Sequence, residues 1–339
     1  MMSIYLRMIY LKNKLTKKIL LFLLIEIIIT GITFPFYLFY GPFHKVRDMI
    51  VGISMSTGNH QYIAKLFFSD EEIQEILNNE EEQLNNEEAT FTMGSAEVET
   101  NNNDIERINI NTNKFDGIAL IIKDPKRVKV GYSSKLGKVG ETVSVIAERY
   151  GAIAAINGGG YSDVSPNGNS GGTGGKPLGI LISNGKVLNS NSSDNNDKVS
   201  STFGIDENGI MFVGSASVNE LINMGIKEAI SFSPTLIVNG EPSISETTLF
   251  GINPRTAIGQ KADGSIILLV IDGRQGLKLG ANLSEVQEIM IKLGAINAIC
   301  LDGGGSSAMY YEGEIINNPS CVTGERYIPD IIYVMEQEN

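Results

Sequence analysis

The chain has 339 residues, 42% of them hydrophobic, and a formal net charge of −12 at pH 7. This length is enough for one or two domains with a buried core. The acidic balance argues against binding to nucleic acid, whose phosphates require surfaces rich in Lys and Arg. Much of the charge is local, because residues 70–106 contain many Asp and Glu and no Lys or Arg.

The N-terminal region has the pattern of a membrane anchor. Residues 19–40 are almost entirely apolar and match the roughly 20 residues that cross a bilayer as a helix. Lys and Arg precede this run, which predicts a cytoplasmic basic segment at 1–18 and places the rest of the chain outside the cell. A cleaved signal peptide is the alternative. The length of the run, with no small-x-small site after it, favours an uncleaved transmembrane signal anchor at 19–40.

Residues 41–114 are predicted to form a stalk that contains an acidic, partly disordered stretch. Residues 41–69 are moderately apolar and could pack against the membrane or against the following domain. Ser69 and Glu72 form a capping-box pattern, which predicts a short helix from Asp70 to about Asn79.

From residue 115 the sequence consists of short β-type runs separated by turns that contain Gly, Asn and Asp. Helical periodicity is clear at 142–150 and 284–293, where Ser284 with Gln287 fits a capping box and Gly294 a C-terminal cap. The predicted fold class is α+β, a mixed β-sheet domain with a few helices at 115–339. Strands are predicted at 117–123, 127–132, 153–156, 179–182, 210–213, 235–238, 266–271, 296–301 and 331–335.

One pattern occurs twice in this domain. It consists, in order, of a helix, a Gly-Ala-Ile step, a short strand, a polar residue and three glycines. The first copy ends at Asn157 and residues 158–160, and the second at Asp302 and residues 303–305. We expect the two strand ends to lie side by side and to face one pocket, although glycine-rich sequences also produce such similarity by chance.

Polar residues follow several of the apolar runs. Glycines after Asp302 let the backbone approach a ligand and turn its N–H groups toward an anion, although a plain glycine turn capped by Asp has the same pattern. Asn157 can bind sugar hydroxyls and Tyr161 can stack on a sugar ring. Arg255 offers a planar fork suited to phosphate or carboxylate, or a structural ion pair with Asp272 or Asp302.

The remaining polar candidates are loop residues. Asp272 and Arg274 follow the most apolar run of the domain. The alternative to a functional role is that they form a tight turn. Near a second carboxylate, Asp272 would become one of the pair that glycosidic cleavage usually requires. Glu325 and Arg326 form a further charged loop, which could equally be a solvated one.

Cys300 and Cys321 are the only cysteines. An extracellular location allows a disulfide, while the apolar run around Cys300 is equally consistent with a buried free thiol. Both histidines lie upstream of the domain, so a His-based triad or zinc centre is not predicted there. No cofactor is expected, although the carboxylates are compatible with a divalent cation such as Ca²⁺.

These motifs resemble the phosphodiester glycosidase family. The Asn157 glycine loop, residues 253–259 (NPRTAIG), residues 272–274 (DGR) and residues 301–307 (LDGGGSS) occur in this order, followed by a GER segment. The resemblance covers about residues 115–339 and implies removal of N-acetylglucosamine from an α-phosphodiester by cleavage at the sugar. Many bacterial relatives are labelled exopolysaccharide-biosynthesis proteins. The family usually has an aromatic residue where Gly160 stands here, one place before Tyr161.

The resemblance implies a site built from both glycine loops. Its implied catalytic residues are Asp302, Asp272, Arg255 and Asn157. Its implied substrate-binding residues are Gly158, Gly159, Gly160, Tyr161, Thr256, Arg274, Gly303, Gly304, Gly305, Ser306, Ser307, Glu325 and Arg326.

The expected protein is a membrane-anchored extracellular hydrolase that cleaves a sugar-1-phosphodiester of envelope glycans or polymers. Arg255 and glycine N–H groups would bind the phosphate. Asp302 would act as nucleophile, base or oxocarbenium stabiliser, with Asp272 as its partner. One alternative is a non-catalytic glycan- or polymer-binding domain in exopolysaccharide assembly. The other is a metal-dependent phosphodiesterase that uses Asp272 and Asp302 as ligands.

Overall fold

The computed structural model describes residues 2–55, 61–76, 92–93, 105–162, 172–190, 196–244 and 251–336. The first helix, α1 (Met2–Tyr40), contains the apolar run found in the sequence. Its part from Thr16 to Tyr40 is long and apolar enough to cross a membrane, with a mean hydropathy of 2.4. Uncleaved anchors and signal sequences share this property.

Three short helices follow α1. They are α2 (His44–Met55), α3 (Gln61–Lys65) and α4 (residues 70–76). Their apolar side chains pack on the end of α1 around Phe39, Val51 and Phe68. Residues 41–69 therefore contribute to a small helical cluster of their own.

The capping box that predicted α4 is present. Ser69 N donates to Glu72 Oε2 at 2.8 Å, and Glu72 N donates to Ser69 Oγ at 3.2 Å. Residues 77–79 of the predicted helix lie outside the described residues, as does most of the acidic stretch that was predicted to be partly disordered.

The rest of the described chain consists mainly of strands in three antiparallel sheets. The strands are β1 (Thr92–Met93), β2 (Ile105–Asn111), β3 (Asp116–Ile122), β4 (Val128–Tyr132), β5 (Ala152–Asn157), β6 (Leu181–Ser183), β7 (Lys186–Asn189), β8 (Val199–Asp206), β9 (Met211–Ala216), β10 (Ile226–Ser231), β11 (Thr235–Val238), β12 (Glu241–Pro242), β13 (Arg255–Lys261), β14 (Ile266–Ile271), β15 (Ala295–Leu301), β16 (Met309–Tyr311), β17 (Glu314–Ile315) and β18 (Asp330–Met335).

The sheets have six, seven and five strands. Their strand orders are β1-β9-β8-β10-β6-β7, β12-β11-β15-β13-β14-β3-β2 and β17-β16-β5-β18-β4. Three helices accompany them: α5 (Val143–Arg149), α6 (Val218–Asn223) and α7 (Leu283–Lys292). This architecture confirms the predicted α+β class, with several β-sheets, few helices and one N-terminal apolar helix.

Each sheet contributes one face to a common core. Alternate residues of β14, such as Leu268, join residues of the other two sheets, such as Ile156 and Met211, in one apolar cluster. One helix covers the opposite face of each sheet: α7 covers the seven-stranded sheet, α5 the five-stranded sheet and α6 the six-stranded sheet. Because both faces of its sheet are covered, every residue of β14 is buried, and its sequence is a continuous apolar run.

The folded sheets begin before the predicted boundary at residue 115. β2 pairs with β3 along its whole length, and β1 pairs with β9. Parts of the predicted stalk are therefore strands. β2 is an edge strand in which partly buried Ile108 and Ile110 alternate with exposed Asn109. The exposed polar residues make the sequence of β2 look like part of the polar stalk, which is why the strand was not predicted.

The helix ends agree only in part with the sequence patterns. α5 (Val143–Arg149) lies within the predicted range 142–150, with Thr142 as its N-cap. The capping box of α7 is formed by Asn282 and Glu285, so the predicted box of Ser284 with Gln287 is wrong by two residues. Gln287 is buried and binds the backbone of Ile244 through both its amide oxygen and its amide nitrogen.

Candidate active site

The ends of β5 and β15 meet, as the internal similarity predicted. Asp302 N donates to Gly158 O at 3.1 Å, and Asn157 Nδ2 donates to Asp302 O at 2.5 Å. These contacts bring the two glycine loops together, although 145 residues separate Asn157 from Asp302 in the sequence.

The Asn157 side chain is fully buried and connects three segments of the site. Besides its contact with Asp302, its Oδ1 accepts hydrogen bonds from Thr256 Oγ1 at 2.7 Å and Ala308 N at 3.2 Å. Thr256 Oγ1 also lies 3.2 Å from Ser307 Oγ, and both residues are buried. Asn157 and Thr256 therefore hold the loops in place, because their polar atoms already have protein partners.

Asp330, which the sequence analysis missed, lies on the other side of the first glycine loop. Gly159 N donates to Asp330 Oδ1 at 2.7 Å, and Gly158 N donates to Asp330 O at 3.0 Å. The residue is 1% exposed. Burial raises the pKa of the Asp330 carboxyl to about 7. The Gly159 N–H opposes this rise and the nearby charge of Asp302 adds to it.

The first glycine loop owes its composition to this packing. A Cβ on Gly158 would clash with Asp330 Oδ1, and one on Gly159 would lie 2.7 Å from Ile230 Cγ2. A Cβ on Gly160 would lie 3.4 Å from the Phe232 ring. The glycines therefore allow the loop to run between Asp302 and Asp330.

The second glycine loop begins at Asp302 and turns sharply. Gly303 N donates to Asp302 Oδ1 at 3.0 Å, and a Cβ on Gly303 would lie 2.8 Å from Pro254 O. Gly304–Ser306 then form a short 3₁₀ turn, in which Gly304 has a left-handed φ of 63°. Glycine adopts this conformation without strain.

Two arginines flank this turn. A Cβ on Gly304 would lie 3.3 Å from Arg274 Nη2, and one on Gly305 would lie 3.6 Å from Arg326 Nη1. Burial lowers the pKa of Arg274, and the neighbouring positive charges of Arg326 and Arg255 lower it further. Because guanidinium groups keep their proton in proteins, their clustering creates a strongly positive region beside the turn.

Arg326 is held in position by its neighbours. Its guanidinium carbon lies 5.4 Å from the centre of the Tyr161 ring, and Tyr161 OH lies 3.3 Å from Ser306 Oγ. The preceding residue, Glu325, points to the start of α5, where its carboxylate accepts hydrogen bonds from Ser144 N at 2.8 Å and Ser144 Oγ at 2.5 Å. Glu325 therefore anchors the loop, while Arg326 faces the glycine turn.

Arg255 binds backbone carbonyls. Its Nε donates to Ala281 O at 3.1 Å and its Nη2 donates to Gly251 O. Within the described residues these carbonyls, and not the carboxylates of Asp272 or Asp302, are its hydrogen-bond partners. Burial lowers the pKa of Arg255. Its guanidinium charge in turn lowers the pKa of Arg274.

Asp272 lies beside a cavity. Its carboxylate accepts hydrogen bonds from Asn317 Nδ2 at 2.8 Å and Asn318 N at 3.0 Å. The adjoining cavity has a volume of about 350 Å³ and is also lined by Asp116. Burial raises the pKa of Asp272, and the charge of Asp116 contributes in the same direction. Asn317 Nδ2 also donates to Ser307 O, so Asp272 braces the glycine loop from outside.

Both cysteines are free thiols. Cys300 is buried within β15, and burial raises the pKa of its thiol to about 12. A neutral, inaccessible thiol of this kind is a packing residue.

Comparisons with known proteins agree with this geometry. A family model described as phosphodiester glycosidase matches residues 150–335. N-acetylglucosamine-1-phosphodiester alpha-N-acetylglucosaminidase from Bos taurus is 30% identical over 197 residues, which cover 53% of this chain and 35% of that protein. SPbeta prophage-derived uncharacterized protein YomE from Bacillus subtilis is 29% identical over 186 residues, which cover 53% of this chain and 27% of that protein.

Solved structures share the fold. The zebrafish N-acetylglucosamine-1-phosphodiester alpha-N-acetylglucosaminidase catalytic domain, auto-inhibited by its pro-peptide, superposes with a TM-score of 0.60 at 25% identity, covering 74% of this chain and 89% of that one. A putative exported protein from Burkholderia pseudomallei has the same fold, with a TM-score of 0.51 at 18% identity, covering 66% and 74%. The chain spans about a third of the curated relatives or less. Its matched region nevertheless carries both glycine loops and both flanking arginines, and the chain belongs to the phosphodiester glycosidase family.

Proposed function

We propose that this protein is a hydrolase that cleaves a sugar-1-phosphodiester at the anomeric carbon. The observation that carries the proposal is the position of Arg274 and Arg326 on consecutive glycines of the turn that begins at Asp302. A pair of guanidinium groups suits a phosphodiester anion, and a neighbouring carboxylate suits the positive charge that develops on the sugar. The family and the names of its curated members support the same reaction class.

The phosphate would bind at the glycine turn. Arg274 and Arg326 provide planar donors beside Gly304 and Gly305, whose lack of side chains lets the two guanidinium groups approach the turn closely. Tyr161 lies under Arg326 and offers an aromatic face next to the anion position. Arg255 contributes positive charge from behind, because its own donors are engaged by backbone carbonyls.

We assign the chemical step to Asp302. Asp302 would assist attack at the anomeric carbon, either directly or through water, and the C–O bond to the phosphate breaks with its electron pair leaving on the phosphate. Water supplies OH to the sugar and a proton to the phosphate monoester, so the atoms balance. The phosphate is a good leaving group, so little acid assistance is needed.

Asp330 is a positioning residue in this scheme. It is buried behind the Gly158–Gly159 backbone, and its carboxyl interacts electrostatically with Asp302. It replaces Asp272 as the proposed partner of Asp302, since the Asp272 carboxylate is bound by Asn317 and Asn318.

The apolar part of α1 supports a location at a membrane. We propose that it is an uncleaved anchor, with basic residues on the cytoplasmic side and the β-sheet domain outside the cell. Envelope glycans or polymers with sugar-phosphodiester linkages would then be the accessible substrates.

The direct test is a screen of the full-length protein against synthetic sugar-1-phosphodiesters that differ in sugar and anomeric configuration, with free sugar as the readout. We expect turnover of an α-linked N-acetylhexosamine phosphodiester. An Asp302→Asn variant tested in parallel controls for contaminating hydrolases. Saturable binding without sugar release would support a glycan-binding domain and would contradict the proposal.

A further inference from the structure

Two turns beside the arginine pair expose apolar side chains at their tips. Gln275 and Lys278 form a β-bridge that closes the first turn, and Leu277 at its tip is 94% exposed. Cys321 and Gly324 close the second turn in the same way, and Val322 is 88% exposed. We call Leu277 and Val322 the apolar tips.

Each apolar tip is connected to one of the two arginines. Arg274 immediately precedes the first turn, and Arg326 follows the second turn by two residues. The two guanidinium groups pack on Gly304 and Gly305. The apolar tips therefore extend from the two loops that would hold the phosphate.

Additional contacts tie both turns to the glycine turn. Gln275 Nε2 donates to Asn318 O at 2.8 Å, which joins the first turn to the segment leading into the second. Ser320 Oγ donates to Gly304 O at 3.2 Å, and a Cβ on Gly305 would lie 4.0 Å from Cys321 Cβ. These contacts hold the bases of both turns close to the glycine turn.

The exposure of these side chains has no explanation in packing. Isolated exposed apolar residues are ordinary on protein surfaces. Here, however, two nearly fully exposed ones flank a single charged site, and the neighbouring Leu279 and Tyr327 are 53% and 58% exposed. Apolar surface that borders a binding site is typical of a ligand with an apolar part.

We propose that the apolar tips bind the hydrocarbon chain of an amphiphilic substrate, a sugar-1-phosphodiester whose second ester is a long-chain alcohol. The inference rests on the proposed function and specifies its substrate class. The groups of the site match such a molecule: Asp302 for the sugar, the two arginines for the phosphate, and the apolar tips for the hydrocarbon. The apolar helix of α1 would keep this site near a membrane, where molecules of this kind are found.

The experiment compares methyl and octyl esters of the same sugar-1-phosphate with full-length protein in lipid nanodiscs. The wild type should cleave the octyl ester with a kcat/KM about tenfold higher, because even partial burial of the chain removes several methylene groups from water. The double variant Leu277→Gln/Val322→Gln should lose most of this preference and retain wild-type activity on the methyl ester.

A matched control removes two exposed apolar side chains elsewhere. Ile222 on α6 and Ile291 on α7 are 48% and 42% exposed. The variant Ile222→Gln/Ile291→Gln should retain the octyl preference, which controls for partition of the ester into the nanodisc. Thermal unfolding of each variant verifies that the fold is intact.

Several outcomes would overturn the inference. Equal turnover of both esters by the wild type, or an octyl preference that survives in the tip variant, contradicts it while leaving the proposed function in place. Absence of turnover on either ester contradicts the proposed function itself. If the tips affect only sedimentation with lipid vesicles, or only self-association, their partner is the bilayer surface or a second copy of the chain, and the substrate proposal fails.

Discussion

At the residue scale, the site consists of a few charged side chains around the glycine turn, and their charges influence one another. Asp302 lies at a strand end, Asp330 is buried behind the first glycine loop, and the guanidinium groups of Arg274 and Arg326 face the second loop. Positive and negative groups are thus placed around the same glycine-rich turn. Three residue-level predictions test this arrangement.

Asp302→Asn should reduce kcat by about a thousandfold or more, because the amide cannot supply negative charge or accept a proton. The side chain keeps its shape, and the Gly303 N–H can still donate to the amide oxygen, so the melting temperature should change little. Steady-state kinetics and thermal unfolding provide the two measurements. Near wild-type turnover by this variant would remove Asp302 from the reaction.

Arg274→Gln and Arg326→Gln should each lower kcat/KM by about 10- to 100-fold, since each loses a charge-assisted contact with the phosphate. Arg149→Gln is a suitable control, because Arg149 is paired with Glu141 and Tyr132 on another part of the surface. Kinetics with a methyl phosphodiester provide the measurement. Equal losses in all three variants would indicate a general charge effect instead of a phosphate site.

Asp330 should make folding stability depend on pH. Its carboxyl has an ordinary pKa of 3.8 in the unfolded chain and one of about 7 in the folded protein. The folded form therefore retains a proton that the unfolded form releases. The stabilisation associated with this proton is complete below about pH 4 and is lost as the pH rises through about 7.

Asp330→Asn should remove this loss, because its amide stays neutral and can accept the Gly159 N–H. Relative to wild type, the variant should gain stability as the pH rises from about 4 to about 7. Denaturant unfolding at several pH values measures the difference. Parallel stability profiles would mean that Asp330 titrates normally in the folded protein.

At the element scale, the sequence predicted strands best where a single physical requirement determined the pattern. β14 and β11 have the predicted bounds, since strands covered on both faces must be continuously apolar. β8 and β10 were missed because their Ser, Thr, Glu and Lys positions interrupt the apolar pattern. Glu228 of β10, for example, is buried and accepts a hydrogen bond from Val130 N at 2.9 Å.

The start of α7 illustrates why local patterns alone could not define every helix boundary. Two overlapping capping boxes are present in the sequence, and Asn and Ser are comparable N-cap residues. Gln287, which belongs to the second box, is instead required to bind the backbone of Ile244, 43 residues away in the sequence. That tertiary contact favours the first box, formed by Asn282 and Glu285.

Asn282→Ala should therefore destabilise the protein by about 1 kcal/mol, because the Glu285 N–H loses its side-chain acceptor. Asn282→Ser should retain most of the stability, since Ser is an equally good N-cap. Denaturant unfolding of both variants makes the comparison. A loss of the same size in both would show that the cap does not act through this hydrogen bond.

At the scale of the whole molecule, the chain combines a terminal apolar helix with a domain whose three sheets share one core. The four ordered motifs were sufficient to predict the family, and the internal similarity predicted that the two glycine loops meet. It was not sufficient to find Asp330, whose partner Gly159 lies 171 residues away in the sequence. Asp330 belongs to none of the motifs found in the sequence, so no local pattern pointed to this contact.

The sequence was also insufficient to distinguish the roles of the predicted site residues. Arg274 and Arg326 lie at the glycine turn, and their role in substrate binding stays a prediction. The side chains of Asn157, Thr256 and Glu325 are used to hold the loops together. Polar residue types near a strand end indicate a site, but only the folded contacts distinguish a ligand-facing group from a supporting one.

Hydrolysis in ¹⁸O-labelled water tests the central proposal most directly, because it identifies which bond breaks. A phosphodiester that the full-length protein cleaves is incubated in labelled water, and both products are analysed by mass spectrometry. Attack at the anomeric carbon places the label in the released sugar and leaves the phosphate monoester unlabelled, which is the result we predict. Label in the phosphate with none in the sugar would mean that the P–O bond breaks, and would contradict a glycosidase mechanism for this site.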